Sequence, residues 1–174
     1  MRAISKIISF KISIKINLKL RPNFKKVRRG RIETDYSTPL LDLLIKCELD
    51  HYDKNKINEQ NFPITSEKRL QKLSIRLFHR DVEISTAKII RDMNLRGYRP
   101  ATLYEMLVFA VKYPNLVKRF GFFVALGSKF FDPNDESIIT PSLMFFADMK
   151  MLAFRNWDSN WSNRYFIGVR HLKR

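Results

Sequence analysis

The segment RPATLYEMLVFAVKYP, at 99–114, constrains the fold of this chain more than any other part of the sequence. Thr102 and Glu105 have the T-x-x-E spacing of a capping box, which satisfies backbone N–H groups at a helix N-terminus. Apolar residues follow at the spacing of one helix face: Leu103, Met106, Leu107, Ala110 and Val111. Tyr113-Pro114 stops or restarts the helix because proline disrupts the helical hydrogen bonds. The fold must therefore offer an apolar surface that covers this stripe.

Two shorter helices are expected before residue 99. Thr38 and Pro39 suit the N-cap and the first helical position, so a helix is predicted over 39–49. Its predicted buried stripe is Leu40, Leu41, Leu44 and Ile45. The second helix is capped by Ser85 or Thr86 and ends before Gly97, where a left-handed C-terminal cap is needed. Its apolar residues are Ile89, Ile90 and Met93.

The remaining regular segments have the pattern of strands. Leu73, Ile75 and Leu77 alternate with polar residues, which predicts a strand over 70–78. After Gly121, short runs of apolar and aromatic residues are separated by turn residues such as DPNDES. The expected strands there cover 122–128, 138–146, 149–157 and 164–172.

The order of strand, helices and then strands predicts an α+β domain. We expect a small mixed or antiparallel sheet with two or three helices, plus a basic N-terminal strand or arm. The expected division is a basic N-terminal strand and connector at 1–32, followed by a single α+β domain at 33–174.

The net charge of +16 is concentrated at the N-terminus. Residues 1–32, which we call the basic head, contain eleven Lys or Arg and no acidic residue. The other 142 residues carry 22 basic and 17 acidic residues, a balance of only +5. Within the head, IISFKISIKINLKL at 7–20 alternates apolar and polar residues, which indicates a strand and disfavours a helical mitochondrial presequence.

The cluster KKVRRGR, in the connector 21–31, favours an anionic partner because lysine and arginine neutralise phosphates or carboxylates. RNA or DNA is one candidate partner for residues 21–31. The predicted anion-binding residues are Lys25, Lys26, Arg28, Arg29 and Arg31. For the strand at 8–20 the preferred alternative is an edge strand whose lysines deter aggregation.

Enzymatic signatures are lacking, so no catalytic residue, cofactor or metal ligand is assigned. His51, His79 and His171 have no local nucleophile or base signature around them. Cys47, Asp50 and His51 would share a helix face, but no further cluster completes a zinc site. A solvated turn explains DPNDE better than a calcium loop does.

Localisation is predicted from what the sequence lacks. No apolar run reaches the about 18 residues of a membrane-spanning helix, so no transmembrane segment is expected. The single cysteine, Cys47, cannot form an intramolecular disulfide, which favours a reducing compartment or indifference to redox state over a disulfide scaffold. We therefore expect a cytoplasmic protein.

The segment RNWDSNWSNRYF, at 155–166, combines tryptophans with asparagine, serine and arginine, as recognition surfaces do. The predicted ligand-binding residues are Tyr98, Trp157, Asp158, Asn160, Trp161 and Arg164. The alternative is a loop whose two tryptophans close over the core, since tryptophan is mostly buried in proteins.

The motifs RPAT-x-x-E (99–105), VALGS (124–128) and W…F-x-x-VR (161–170) resemble those of a family of uncharacterised bacterial proteins. That resemblance covers residues 75–174 and implies no known activity. A more distant similarity is to C-type-lectin-like domains of the formylglycine-generating-enzyme type, which have a related helix start and a closing strand that ends in G-F-R. Active members of that group use a cysteine pair, whereas this chain has one cysteine. The similarity implies a ligand-binding scaffold that recognises its ligand near the C-terminal strand.

These observations predict a non-enzymatic binding or interaction protein whose ligand the sequence does not identify. Its body would recognise a ligand through 155–166, and its basic head would contact an acidic partner. The alternative is a protein associated with RNA or DNA.

Overall fold

The computed structural model describes residues 29–64 and 70–172. The predicted strand at 8–20 and three predicted anion-binding residues, Lys25, Lys26 and Arg28, lie outside the described residues. Within these two ranges, every helix is too short or too polar to cross a membrane.

The described residues form eleven strands and four helices. In chain order these are β1 (Arg29–Asp35), α1 (Leu40–Lys46), β2 (His51–Tyr52), β3 (Leu70–Arg80), β4 (Ile84–Ser85), α2 (Thr86–Asn94), β5 (Arg99–Pro100), α3 (Leu103–Lys112), α4 (Pro114–Phe120), β6 (Phe122–Val124), β7 (Phe130–Asp132), β8 (Ser137–Phe146), β9 (Met149–Asn156), β10 (Asn160–Trp161) and β11 (Arg164–His171).

Nine of these strands make one mixed sheet with the order β1-β3-β11-β6-β8-β9-β2, in which β5 also pairs with β11 and β7 with β8. The pairs β11–β6 and β2–β9 are parallel, and the other pairs are antiparallel. The α+β class is therefore confirmed, with a sheet larger than predicted and four helices instead of two or three. The predicted domain boundary between 32 and 33 falls inside β1, which pairs with β3 along its whole length.

The sheet separates two apolar clusters because neighbouring residues of a strand point to opposite sides. The larger cluster includes Leu73, Ile75 and Leu77 of β3 and Ile167 of β11, and α1 and α3 cover it. The smaller cluster includes Phe166 of β11. Its other buried members are Ile84, Ile89, Met93, Tyr98, Val124, Leu126 and Trp161. The alternation predicted for β3 is thus confirmed.

Helix α3 has the predicted capping box. Thr102 Oγ1 accepts a hydrogen bond from the backbone N–H of Glu105 (3.3 Å), and the Glu105 carboxylate accepts one from the N–H of Thr102 (2.9 Å). Four of the five stripe residues are buried, but Val111 is 39% exposed, next to the exposed Lys112 at the end of α3. Helix α4 restarts at Pro114, as the sequence indicated.

Helix α1 corrects two predictions. Its buried residues are Leu40, Leu43 and Leu44, whereas Leu41 and Ile45 are exposed, because packing against α3 selects the buried face. Thr38 is not the N-cap: Pro39 occupies that position without a side-chain bond. The N–H of Leu40 instead donates to Glu59 Oε1 at 3.0 Å, so a distant carboxylate caps the helix.

Helix α2 ends as predicted. Gly97 has φ +70°, its N–H donates to Asn94 O, and the N–H of Tyr98 donates to Met93 O, which are the two bonds of a Schellman motif. Ile89 and Met93 are buried, and Ile90 is half-buried. Ser85 occupies the N-cap position but makes no capping bond through its side chain.

The strands after Gly121 are largely as predicted, since β8, β9 and β11 match the expected ranges. The predicted strand at 122–128 is shorter and ends at Val124. The chain turns there, and the Ser128 hydroxyl accepts a hydrogen bond from the N–H of Leu103, at the start of α3, at 2.8 Å.

Candidate anion-binding face

Arginines from three adjacent strands lie on one side of the sheet, opposite the larger cluster. In the antiparallel register, Arg29 lies across from Arg76, while Arg31 and Arg170 both lie across from Ser74. Cross-strand partners point to the same side of a sheet, so these four arginines share one surface. Arg96, which follows α2, extends it, because Arg96 and Arg76 line one pocket with Phe78. We call this surface the arginine face; it consists of Arg29, Arg31, Arg76, Arg96 and Arg170.

Aromatic rings support three of the guanidinium groups. The guanidinium carbons of Arg76 and Arg96 lie 5.4 and 6.0 Å from the centre of the Phe78 ring, and that of Arg170 lies 4.9 Å from the centre of the Tyr98 ring. The two rings meet edge to face with centres 5.9 Å apart. Such cation–π contacts hold a guanidinium group in place against a ring. Arg96 also donates a hydrogen bond to Asp92 O at 3.0 Å.

Gly168 makes room for this aromatic pair. A Cβ atom at 168 would lie 2.6 Å from the Phe78 ring, closer than real Cβ atoms approach other groups, and 3.1 Å from Tyr98 Cβ, which is also tight. Glycine across from Arg76 on β11 therefore allows the rings to lie against the sheet beneath the arginines.

The arginine face is strongly positive. Arg29, Arg31, Arg96 and Arg170 are exposed, and Arg76 is half-buried. Three carboxylates border the face among the described residues. Asp35 ends β1 on the same side as Arg29 and Arg31. Glu33 lies across from Lys72, whose ammonium is 3.9 Å from its carboxylate, and Asp92 lines the same pocket as Arg76 and Arg96. Arginines thus outnumber carboxylates, which favours binding of an anion.

The structure brings together two of the predicted anion-binding residues, Arg29 and Arg31, and joins to them three arginines that the sequence did not single out. Arg76 and Arg170 stand at ordinary polar positions of their own strands, so only the pairing of β1, β3 and β11 shows that they lie together. Arg96 follows α2 and joins them through the pocket that it lines with Arg76. Within β1 itself, the local signal of this face was the basic residue at each of two alternate positions, Arg29 and Arg31.

The two predicted ligand-binding tryptophans pack into the protein. Trp161 is 4% exposed, its indole N–H donates to Thr86 Oγ1 at 2.7 Å, and its ring meets Phe166 edge to face. Trp157 is half-buried, and its indole N–H donates to Leu126 O at 3.4 Å. This is the arrangement expected of a loop that closes over the core.

The other predicted ligand-binding residues differ in access. Tyr98 is buried beneath Arg170, whereas Asp158 and Asn160 are exposed. Arg164 is half-buried, with its guanidinium carbon 4.2 Å from the centre of the Phe122 ring. Asp158, Asn160 and Arg164 are thus the accessible members of this set, and ligand recognition by the loop stays a prediction.

Glu105 is a buried carboxylate with a complete set of partners. It is 0% exposed and accepts two hydrogen bonds from the Arg99 guanidinium (2.6 and 2.9 Å) and one from the Tyr36 hydroxyl (2.5 Å). Burial, together with the neighbouring Glu105, raises the pKa of Tyr36, so its hydroxyl stays protonated as a donor. This network joins the turn after β1 to β5 and α3, which is a structural role that the sequence indicated only through the capping box.

The Cys47 and His79 side chains are also engaged. The Cys47 thiol donates to Leu107 O at 3.3 Å, and burial raises its pKa to about 12. Helix α1 ends at Lys46, so Cys47, Asp50 and His51 do not share a helix face. The His79 ring stacks on Tyr165 with ring centres 4.3 Å apart. Among the described residues, no three His, Cys, Asp or Glu side chains are grouped as metal ligands would be.

Asp132 departs from the predicted solvated turn because it is buried and pairs with Lys56. The hydrogen bond from the Lys56 ammonium lowers the pKa of this carboxyl. The pair fastens the loop after β2 to the end of β7.

Comparisons of this chain with protein-family models, curated proteins and solved structures found no match. The resemblances to the uncharacterised bacterial family and to C-type-lectin-like domains therefore stay predictions.

Proposed function

We propose that this protein is a non-enzymatic interaction protein that binds an acidic partner through the arginine face, continued by the basic head. The observation that carries the proposal is the clustering of Arg29, Arg31 and Arg170 as exposed residues on one side of the sheet. The other nine basic residues of the head precede Arg29 in the sequence.

The residue type favours phosphate or carboxylate as the bound group. A guanidinium presents several N–H donors in a planar fork that matches two oxygen atoms, whereas an ammonium acts as a point charge. The alternative that the partner is RNA or DNA gains support from the eleven basic residues of the head, because a polyanion engages many cations at once and releases counterions.

A C-type-lectin-like arrangement remains a second, finer proposal within the α+β class. It would place ligand recognition at Asp158, Asn160 and Arg164, which are accessible beside the buried Trp161. Only an analogy of fold supports this site, whereas the charge and the positions of its residues support the arginine face.

The test uses the full chain and a triple variant, Arg29→Gln/Arg31→Gln/Arg170→Gln. The matched control, Lys46→Gln/Lys54→Gln/Lys118→Gln, removes the same charge from exposed positions outside the arginine face. Affinity for duplex DNA, single-stranded RNA and polyglutamate is measured over a range of salt concentrations. The triple variant should bind more weakly, and its salt slope on duplex DNA should fall by up to about 2.7, since each phosphate contact contributes about 0.9.

Equal affinities and equal salt slopes for the triple variant and its control would overturn the proposal. If the chain binds polyglutamate but neither nucleic acid, the proposal of an acidic partner stands and the alternative that the partner is RNA or DNA is rejected. Circular dichroism spectra that match the unaltered chain confirm that both variants are folded.

A further inference from the structure

A second pocket lies beside β1 on the side that Gly30 faces, opposite the Arg31 side chain. It has a volume of about 350 Å³ and lies between β1, β3, the end of α3 and the start of α4. Ile75, Leu77 and Phe109 form its buried floor, and Pro114 and Leu116 form its outer wall. Its volume is within the range of small-molecule sites, which are about 300–1,000 Å³ and mostly apolar.

Gly30 and Tyr113 shape this pocket. A Cβ atom at 30 would lie 3.0 Å from the Tyr113 hydroxyl, so the absence of a side chain leaves space beside the ring. The Tyr113 hydroxyl donates to Arg31 O at 2.8 Å and accepts from the Arg31 N–H at 3.2 Å. These two bonds to the sheet edge fix the ring, so the pocket wall is formed in advance of any ligand.

The charged residues that line the pocket are Arg29 and Lys112, and both are exposed. Neither pairs with a carboxylate among the residues that the structure describes. The Lys112 ammonium lies 5.9 Å from the centre of the Tyr113 ring, at the side of the pocket. An apolar floor next to cations whose charge is not neutralised complements a molecule with an apolar body and one anionic group.

We propose that this pocket binds a small amphipathic anion, with its aromatic or aliphatic body on Ile75, Leu77 and Phe109 and its carboxylate, sulfonate or phosphate group near Lys112. Arg29 borders both this pocket and the arginine face, whereas Lys112 belongs to the pocket alone. A ligand in the pocket and an acidic partner on the arginine face would therefore be neighbours at the edge strand β1.

The test compares two fluorescent probes on the full chain. One is 8-anilinonaphthalene-1-sulfonate, and the other is N-phenyl-1-naphthylamine, which has the same aromatic body without the sulfonate. Lys112→Gln should weaken binding of the sulfonate about two- to fivefold, as expected for an exposed ion pair, and leave the neutral probe unchanged. Lys118→Gln removes the same charge from α4 outside the pocket and should change neither affinity.

Asn115→Trp tests the pocket itself, because Asn115 is an exposed lining residue and a large ring there narrows the opening. This variant should weaken both probes about tenfold, whereas Arg31→Gln/Arg170→Gln should weaken neither. Failure of the unaltered chain to bind the sulfonate would overturn the proposal. So would wild-type affinities in both Lys112→Gln and Asn115→Trp, or equal losses for both probes in Lys112→Gln.

Discussion

At the scale of a single residue, Trp161 provides a test of whether the 155–166 loop closes over the core or forms a recognition surface. Its ring is 4% exposed and its indole N–H is bonded to Thr86, so we expect Trp161→Ala to lower the free energy of unfolding by about 3–5 kcal/mol. Asp158→Ala and Asn160→Ala should each change it by less than about 0.5 kcal/mol, because both side chains are exposed. Urea denaturation measures all three, and a fully stable Trp161→Ala variant would contradict the packing role.

Glu105 is the residue on which the helix start and the turn after β1 both depend. Glu105→Gln leaves Arg99 without its charged partner, so we expect a loss of about 2–4 kcal/mol in the free energy of unfolding. The lower part of that range is favoured, since the Arg99 side chain is 42% exposed and water can solvate it. The exposed Glu83→Gln serves as the control, and equal stability of the two variants would refute this role.

The single thiol offers a chemical probe of the same packing. Cys47 is 1% exposed and burial raises its pKa to about 12, so the reactive thiolate is scarce near neutral pH. We expect the native protein to react with a thiol-specific disulfide reagent at pH 8 far more slowly than the urea-unfolded protein. Equal rates in the two states would show that the α1–α3 contact opens freely.

At the scale of elements, β1 is the edge strand whose outer side Tyr113 covers. The Tyr113 hydroxyl bonds both backbone groups of Arg31, so Tyr113→Phe should cost about 1 kcal/mol and expose this edge. Hydrogen exchange at the amide of Arg31 should become faster, while amides in the β3–β11 pairing should be affected only through global stability. Unchanged exchange at Arg31 would contradict the proposed cover.

Local sequence signals predicted the elements well where a motif is self-contained. The capping box of Thr102 and Glu105, the turn at Gly97 and the alternation of β3 all depend on residues close in sequence. The buried face of α1 could not be predicted, because Leu41 and Leu43 are equally apolar and only packing against α3 distinguishes them. The arginine face was missed for a related reason, since it needs the register of three strands that are far apart in sequence.

At the scale of the whole molecule, the arginine face places like charges close together on a chain that already carries +16. Mutual repulsion of this kind destabilises the folded state, and a protein retains it where function requires the charge. We therefore expect Arg31→Gln/Arg170→Gln to raise the free energy of unfolding by about 0.5–1 kcal/mol at low ionic strength. The gain should shrink as salt is added, because the Debye length falls to about 10 Å at 0.1 M.

A bound polyanion should turn this destabilisation into a gain in stability, because it neutralises the arginine face and binds the folded state. Thermal unfolding of the full chain in low salt is measured with and without duplex DNA or polyglutamate, and Lys46→Gln/Lys54→Gln is the control matched in charge. The polyanion should raise the midpoint of the unaltered chain and of the control more than that of the arginine variant. Two results together would contradict this view. They are that Arg31→Gln/Arg170→Gln is no more stable than the control without polyanion, and that the polyanion stabilises both variants equally. The four exposed arginines would then not act as one charged surface.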